Sequence, residues 1–206
     1  MHQHRPPLAR AGGRGHRAVR LAAAGLLLIA AGAATACGGG KGGDAATPTA
    51  AAAATAADLV PDLSGEGFRL EASGKLPSLT PEQDAFIAIF SGSKPGVSSV
   101  RIEVNLLPAA DAAWAQFGAI ADALRNPPPD LFGPGTVQAE GQPVYQADEA
   151  RSYVTAKPDA QGNLVYSDAY RMGRAIVIVY TLGNDPAAVK AARELVAKAI
   201  DGRAPR

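Results

Sequence analysis

Cys37 is the only cysteine in 206 residues, so no disulfide within the chain is available and any fold must be held by a hydrophobic core. The residues around it narrow the matter further. Residues 1–20 carry Arg5, Arg10, Arg14, Arg17 and Arg20 and no acidic side chain, and an apolar run from Leu21 to Ala33 leads into Ala34-Thr35-Ala36-Cys37. A basic start, a short apolar stretch and small residues before a cut are the parts of a secretory signal peptide. The arginines hold the first end on the cytoplasmic side, because carrying them across a bilayer is costly. Leu21 to Ala36 is 16 residues, many of them only Ala or Gly. A spanning helix needs about 20 predominantly apolar residues, so the expectation is export and removal of residues 1–36.

Thr35, Ala36 and Cys37 resemble the lipobox of bacterial lipoproteins, in which small residues precede a cysteine that is acylated and becomes the new N-terminus. Ala34 departs from the pattern, since leucine is commonest there. The resemblance covers this segment alone. It implies a lipid on Cys37 and attachment to the outer, extracytoplasmic face of the cell membrane. Residues 38–57, GGGKGGDAATPTAAAAATAA, hold nothing that can bury a core. With Cys37 they read as a low-complexity tether, spanning roughly 25 Å as a flexible coil. That leaves residues 58–206 as one domain, large enough to bury about 68–70% of its unfolded surface.

Processing also changes the chemistry. The five arginines go and no acid does, leaving fifteen basic against nineteen acidic side chains, a net charge of −4. A mildly acidic domain lacks the basic footprint that nucleic-acid binding needs. His2, His4 and His16 are lost as well, so the processed chain has no histidine and no cysteine besides Cys37. This excludes Ser-His-Asp and Cys-His catalysis and zinc sites built on His or Cys. No cofactor and no metal is implied, and the expectation is a non-enzymatic monomer.

Along the domain, Phe68–Ala72, Asp84–Phe90 and Ser99–Leu107 read as strands. The third alternates most clearly, with Val100, Ile102, Val104 and Leu106 opposite Arg101, Glu103 and Asn105. Asp111–Arg125 reads as a helix whose apolar stripe is Trp114, Phe117, Ala121 and Leu124, and Asn126-Pro-Pro-Pro129 stops it. In the loop that follows, Leu131 and Phe132 are expected to cover a core edge. Ala150–Ala156, Leu164–Met172 and Ala175–Leu182 are three more strands. A final helix opens with Asp185 as N-cap and Pro186 at its first position. Its outer face is expected to carry Lys190, Arg193, Glu194 and Lys198, with Glu194 and Lys198 paired. The fold class is α+β: an antiparallel sheet of about five or six strands, with two helices on one face and the C-terminal helix last. Ala175, Val177 and Val179 are small enough for a helix to lie close above them.

The element order and the closing strand-plus-helix segment resemble the Mog1/PsbP-like domains of small actinobacterial lipoproteins. They are also similar to the extracellular sensor domains of some bacterial kinases, although the disulfides expected of those sensors are absent here. The resemblance bears on fold and not on function.

Ser91-Gly-Ser-Lys94 matches the S-x-x-K pattern of penicillin-recognising enzymes, where the serine must open a helix. Pro95-Gly96 follow and strands flank the segment, so it reads as a hairpin turn. Glu82 with Asp84, and Asp148 with Glu149, are the carboxylate pairs open to glycosidase-type chemistry, but none sits in apolar sequence that would raise a pKa. Asp58, Asp62 and Glu66 lack the spacing of a calcium loop. Tyr153, Tyr166, Tyr170 and Tyr180 all fall on the last strands, and an exposed group of them would suit a binding face. A two-residue turn at Gly173 puts Tyr166 and Tyr170 opposite Tyr180, and a three-residue turn unites them. The expected role is binding of a partner protein or envelope component by a membrane-anchored domain. The alternatives are a carrier of a small apolar ligand, marked by a pocket of roughly 300 Å3 or more, and a carboxylate-based hydrolase.

Overall fold

The computed structural model describes residues 54–78, 80–93, 95–126 and 136–205. Cys37, the signal segment, most of the tether, Lys94, Leu131 and Phe132 lie outside the described residues. Seven strands make one sheet: β1 (Phe68–Lys75), β2 (Asp84–Gly92), β3 (Val97–Leu106), β4 (Gln138–Glu140), β5 (Glu149–Thr155), β6 (Leu164–Met172) and β7 (Ala175–Gly183). Their order is β1-β2-β3-β7-β6-β5-β4, and every neighbouring pair is antiparallel. Helix α1 (Ala110–Ala123) crosses from the middle of the sheet to its far edge, and α2 (Pro186–Asp201) follows β7. Two 3-10 turns, Ala57–Leu59 and Ser64–Glu66, precede β1.

The α+β class holds, and the strand count is seven instead of five or six. The additional strand, β4, has three residues, Gln138–Glu140, paired with Tyr153–Thr155. Three residues are too few for period-two alternation to register in a sequence.

β7 sits at the centre of the sheet, and every residue from Ala175 to Thr181 is buried. A strand covered on both faces reads as an unbroken apolar run. Its odd members Ala175, Val177 and Val179 share a core with Val189, Val196 and Ile200 of α2. Its even members Ile176, Ile178 and Tyr180 share a second core with Phe117 and Ile120 of α1 and with Leu124 at its C-cap. The helices therefore lie on opposite faces, correcting the expectation of one shared face. A single covered face would leave half of β7 wet.

Each helix also turns slightly from its expected phase. In α1 the buried positions are Ala113, Phe117, Ile120 and Ala121, while Trp114 is 67% exposed. In α2, Asp185 caps as expected, accepting from the Ala187 and Ala188 N–H groups at 2.8 and 3.2 Å. Arg193 is not on the outer face: it is buried and donates to Asp168 at 2.7 and 2.6 Å, to Ser152 Oγ at 2.8 Å and to the Gln142 carbonyl at 3.2 Å. Its guanidinium also lies 4.9 Å from the Tyr166 ring centre. Glu194 meets Lys190 at 3.6 Å, so the surface pair is Lys190–Glu194 instead of Glu194–Lys198.

Packing reaches four residues into the segment that composition assigns to the tether. Ala56 is buried and its N–H donates to Asp84 Oδ2 at 2.7 Å, while Arg174 donates to the Ala54 carbonyl at 3.4 Å. At the other end of the sheet, Gly96 and Gly183 touch. A Cβ on Gly183 would stand 2.2 Å from the Gly96 carbonyl oxygen, and that oxygen accepts from the Asn184 N–H at 3.0 Å. Gly96 itself holds φ +92°, a conformation that L side chains rarely adopt. The β2–β3 hairpin is thereby keyed to the start of α2.

Candidate functional site

The four tyrosines do not share a face. Met172 pairs with Ala175, so the β6–β7 turn is the two-residue Gly173-Arg174. Tyr166 and Tyr170 lie on the α2 side, Tyr153 and Tyr180 on the α1 side. Tyr153, Tyr170 and Tyr180 are buried and Tyr166 is half-buried beneath Arg193. Burial and the neighbouring Asp168 push the Tyr170 hydroxyl well above its ordinary pKa.

Most of the other sequence candidates are taken up by local structure, while Glu82 is exposed. Asp84 caps the Ala56 N–H, and Asp148 accepts from the Gly173 N–H at 2.7 Å. Arg171 ties Asp148 and Glu149 together at 3.4 and 2.7 Å. Asp58 accepts from the Thr55 N–H and hydroxyl, and Asp62 from the Ser64 N–H. These bonds favour the ionised carboxylates and hold both below the usual range. Ser91 stands in β2 and donates to Glu71, so it opens no helix. Among the described residues, no group of three or more carboxylates is placed to hold a metal ion.

The register instead builds a groove on the α1 side, at the end of the sheet where β2 and β3 turn. One cross-strand row runs Ile89–Arg101–Tyr180–Ser167, and the next runs Ser91–Ser99–Leu182–Val165. Both rows belong to the face that α1 covers only in part. The result is a cavity of about 520 Å3 with Ile89, Val165, Tyr180 and Leu182 in its floor. The β5–β6 turn supplies one wall through Lys157, Pro158, Asp159 and Asn163, and Thr136 and Thr155 stand nearby.

Arg101 rises from this floor. Its guanidinium lies 5.7 Å from the centre of the Tyr180 ring, and Nη2 meets Glu103 Oε1 at 2.5 Å. The buried Nε has no hydrogen-bond partner among the described residues. Glu103 is itself largely buried, and burial raises its carboxyl above the usual range despite the opposing pull of Arg101. Burial also raises the Tyr180 hydroxyl far above its ordinary value, with Glu103 adding to the effect. Asp159 is committed to its own turn, accepting from the Gln161 N–H, the Asn163 N–H and Asn163 Nδ2 at 2.9, 2.8 and 3.0 Å. These bonds, chiefly those from Asn163, hold it below the usual carboxylate range. Lys157 is exposed and has no ion-pair partner among the described residues.

No family model and no curated protein matches this chain. Among solved structures, the extracellular domain of PknH from Mycobacterium tuberculosis is similar, at 14% sequence identity and a TM-score of 0.47, covering 71% of this chain and 93% of that one. That likeness carries no argument about ligand, partner or chemistry.

Of the sequence candidates, the groove takes in Tyr180 alone. Arg101 was legible as a residue pointing away from the main apolar face of β3, but not as part of a site. The available signal was the mismatch between β3 and β7: β7 is apolar on both sides, while β3 is charged on one. Wherever two such strands pair, the shared face mixes apolar floor with charge. No helix among the described residues is long and apolar enough to cross a membrane.

Proposed function

We propose that this chain is a lipid-anchored extracytoplasmic domain that binds a small, largely apolar molecule in the groove and performs no chemistry on it. One observation carries the reading: a cavity of about 520 Å3 with an apolar floor. Ligand sites typically measure about 300–1,000 Å3, apolar with a few placed polar groups. The tyrosine-face reading loses its support, because three of the four rings are buried and the set divides between opposite faces. Hydrolysis has little support in the carboxylates: Asp84, Asp148 and Glu149 are bound into a cap, a turn and an ion pair, and Glu82 is exposed with no second carboxylate held in a cleft beside it.

The neutral fluorophore N-phenyl-1-naphthylamine tests the groove. The unlipidated chain from residue 37 onward is expected to bind it saturably, and Leu182→Asp to abolish binding while leaving the circular dichroism spectrum intact. Equal fluorescence with wild type and Leu182→Asp overturns the groove reading. Cys37→Ser tests the anchor: wild type is expected to partition into detergent and the variant to stay in the aqueous phase.

A further inference from the structure

We infer that the groove selects amphiphiles with an anionic head, such as a carboxylate or phosphate on an apolar body, and that Arg101 is the residue that reads the charge. The inference rests on the groove reading above and adds a charge requirement to it.

Among the described residues that line the cavity, only Arg101, Lys157 and Asp159 are charged. Asp159 already accepts three hydrogen bonds within its own turn. The two cations remain. Arg101 comes off the apolar floor between Ile89 and Tyr180, which puts a positive head beside a surface that suits an alkyl or aryl body. A guanidinium has five N–H donors. Here Glu103 takes Nη2, no other acceptor meets the group among the described residues, and the residue lines the cavity with part of its side chain exposed.

The guanidinium is also held in place before any ligand arrives. Tyr180 lies beneath it at 5.7 Å and Glu103 fixes its edge. Arginine held this way loses little side-chain freedom when an anion docks, so more of the interaction appears as affinity. Lys157 stands at the exposed wall, where it adds attraction without being needed for packing.

Competition against bound N-phenyl-1-naphthylamine tests this with decanoate and decanol, which share a chain and differ in charge. Decanoate is expected to displace the fluorophore at a concentration about tenfold or more below that of decanol, the size expected of a hydrogen bond to a charged group. Arg101→Gln should erase or reverse the preference and Arg101→Lys should keep part of it, the ratio of decanoate to decanol being read in each variant against its own affinity for the fluorophore. Lys157→Gln, a change at an exposed side chain with no ion-pair partner among the described residues, should lower the preference by a smaller factor and supplies the test if Arg101→Gln is unstable. Co-flotation with vesicles containing phosphatidylglycerol separates the sources of the head group. Flotation lost in Arg101→Gln points to a membrane lipid, and decanoate preference without flotation points to a free acid. Fluorophore binding with decanol as effective as decanoate, or a preference that survives Arg101→Gln, overturns the inference while leaving the groove standing. No fluorophore binding at all overturns the groove instead.

Discussion

The α2 face of the sheet and the α1 face use the same strands to different ends. On the α2 side, Val100, Ile102 and Val104 of β3 continue the apolar surface of Val177 and Val179, and the helix, Leu59 and Leu63 close over it. The buried charges on that side among the described residues, Arg193 and Asp168, answer each other with two hydrogen bonds, and Ser152 accepts a third from Arg193. On the α1 side, β3 contributes Arg101, Glu103 and Asn105 to the same surface as Ile178 and Tyr180. The helix covers the apolar half and stops. A sheet face that is apolar throughout is sealed, and one that mixes charge into its floor keeps an opening. The first holds the protein together and the second is free to hold something else.

The largest effect that tests this division is removal of residues 185–206. That deletion uncovers Ala175, Val177 and Val179 and removes Val189, Val196 and Ile200, each worth about 1.5–3 kcal/mol when fully buried. The loss approaches the whole stability of a domain, about 5–15 kcal/mol, so thermal melts should lose cooperativity. A cooperative melt without α2 would break the comparison.

Asp168→Ala comes next. It strands Arg193 in the core and is expected to cost about 3–5 kcal/mol in urea unfolding. The double variant Asp168→Leu with Arg193→Met should recover much of that loss, because a buried pair replaced by apolar groups leaves no charge unmatched. Arg101→Gln on the open face should cost clearly less than Asp168→Ala. Equal costs would mean that the two faces are not differently sealed.

Glu103 gives a smaller effect with a definite sign. Its folded-state carboxyl is raised, so the folded chain takes up the proton more readily than the unfolded one. Its stabilising contribution is full below the unfolded glutamate range and declines as pH rises through the raised folded value. Wild type should therefore lose stability relative to Glu103→Gln as pH climbs from acid toward neutral, in paired urea titrations. Loss in the opposite direction would place Arg101 above burial as the controlling influence. The smallest effect is at Trp114. At 67% exposure, its change to alanine should move stability by no more than about 0.5 kcal/mol, and a larger drop would show that α1 seals more of its face than its turn toward Ala113 provides.

Much of the frame was readable from local signals. β6 and the start of β7 fall where the alternation and the tight turn at Gly173 put them, and α2 begins at Asp185-Pro186 because cap and proline are local chemistry. The misreadings share a cause in tertiary partners. The stripes through Ala113 and through Trp114 share Phe117, Ala121 and Leu124, and alanine adds too little hydrophobic signal to choose between them. Arg193 looks solvated until Asp168, twenty-five residues earlier on β6, is seen beneath it. The second covered face follows from β7 lying mid-sheet, which depends on its pairing with the distant β3. The groove depends on the same pairing and on where α1 ends, so only its separate residues were legible.

β7 also has a direction. At its start, Arg174 reaches the Ala54 carbonyl, and Ala56 is bound to Asp84 close by. At its far end, Leu182 lies in the groove floor. Seven residue steps at about 3.4 Å each separate Ala175 from Leu182 by roughly 24 Å. In the proposed anchored state, the lipid-bearing segment joins the domain near the start of β7 and the groove floor lies near its far end. Under that proposal the length of β7 sets how far the groove floor stands from the point of attachment.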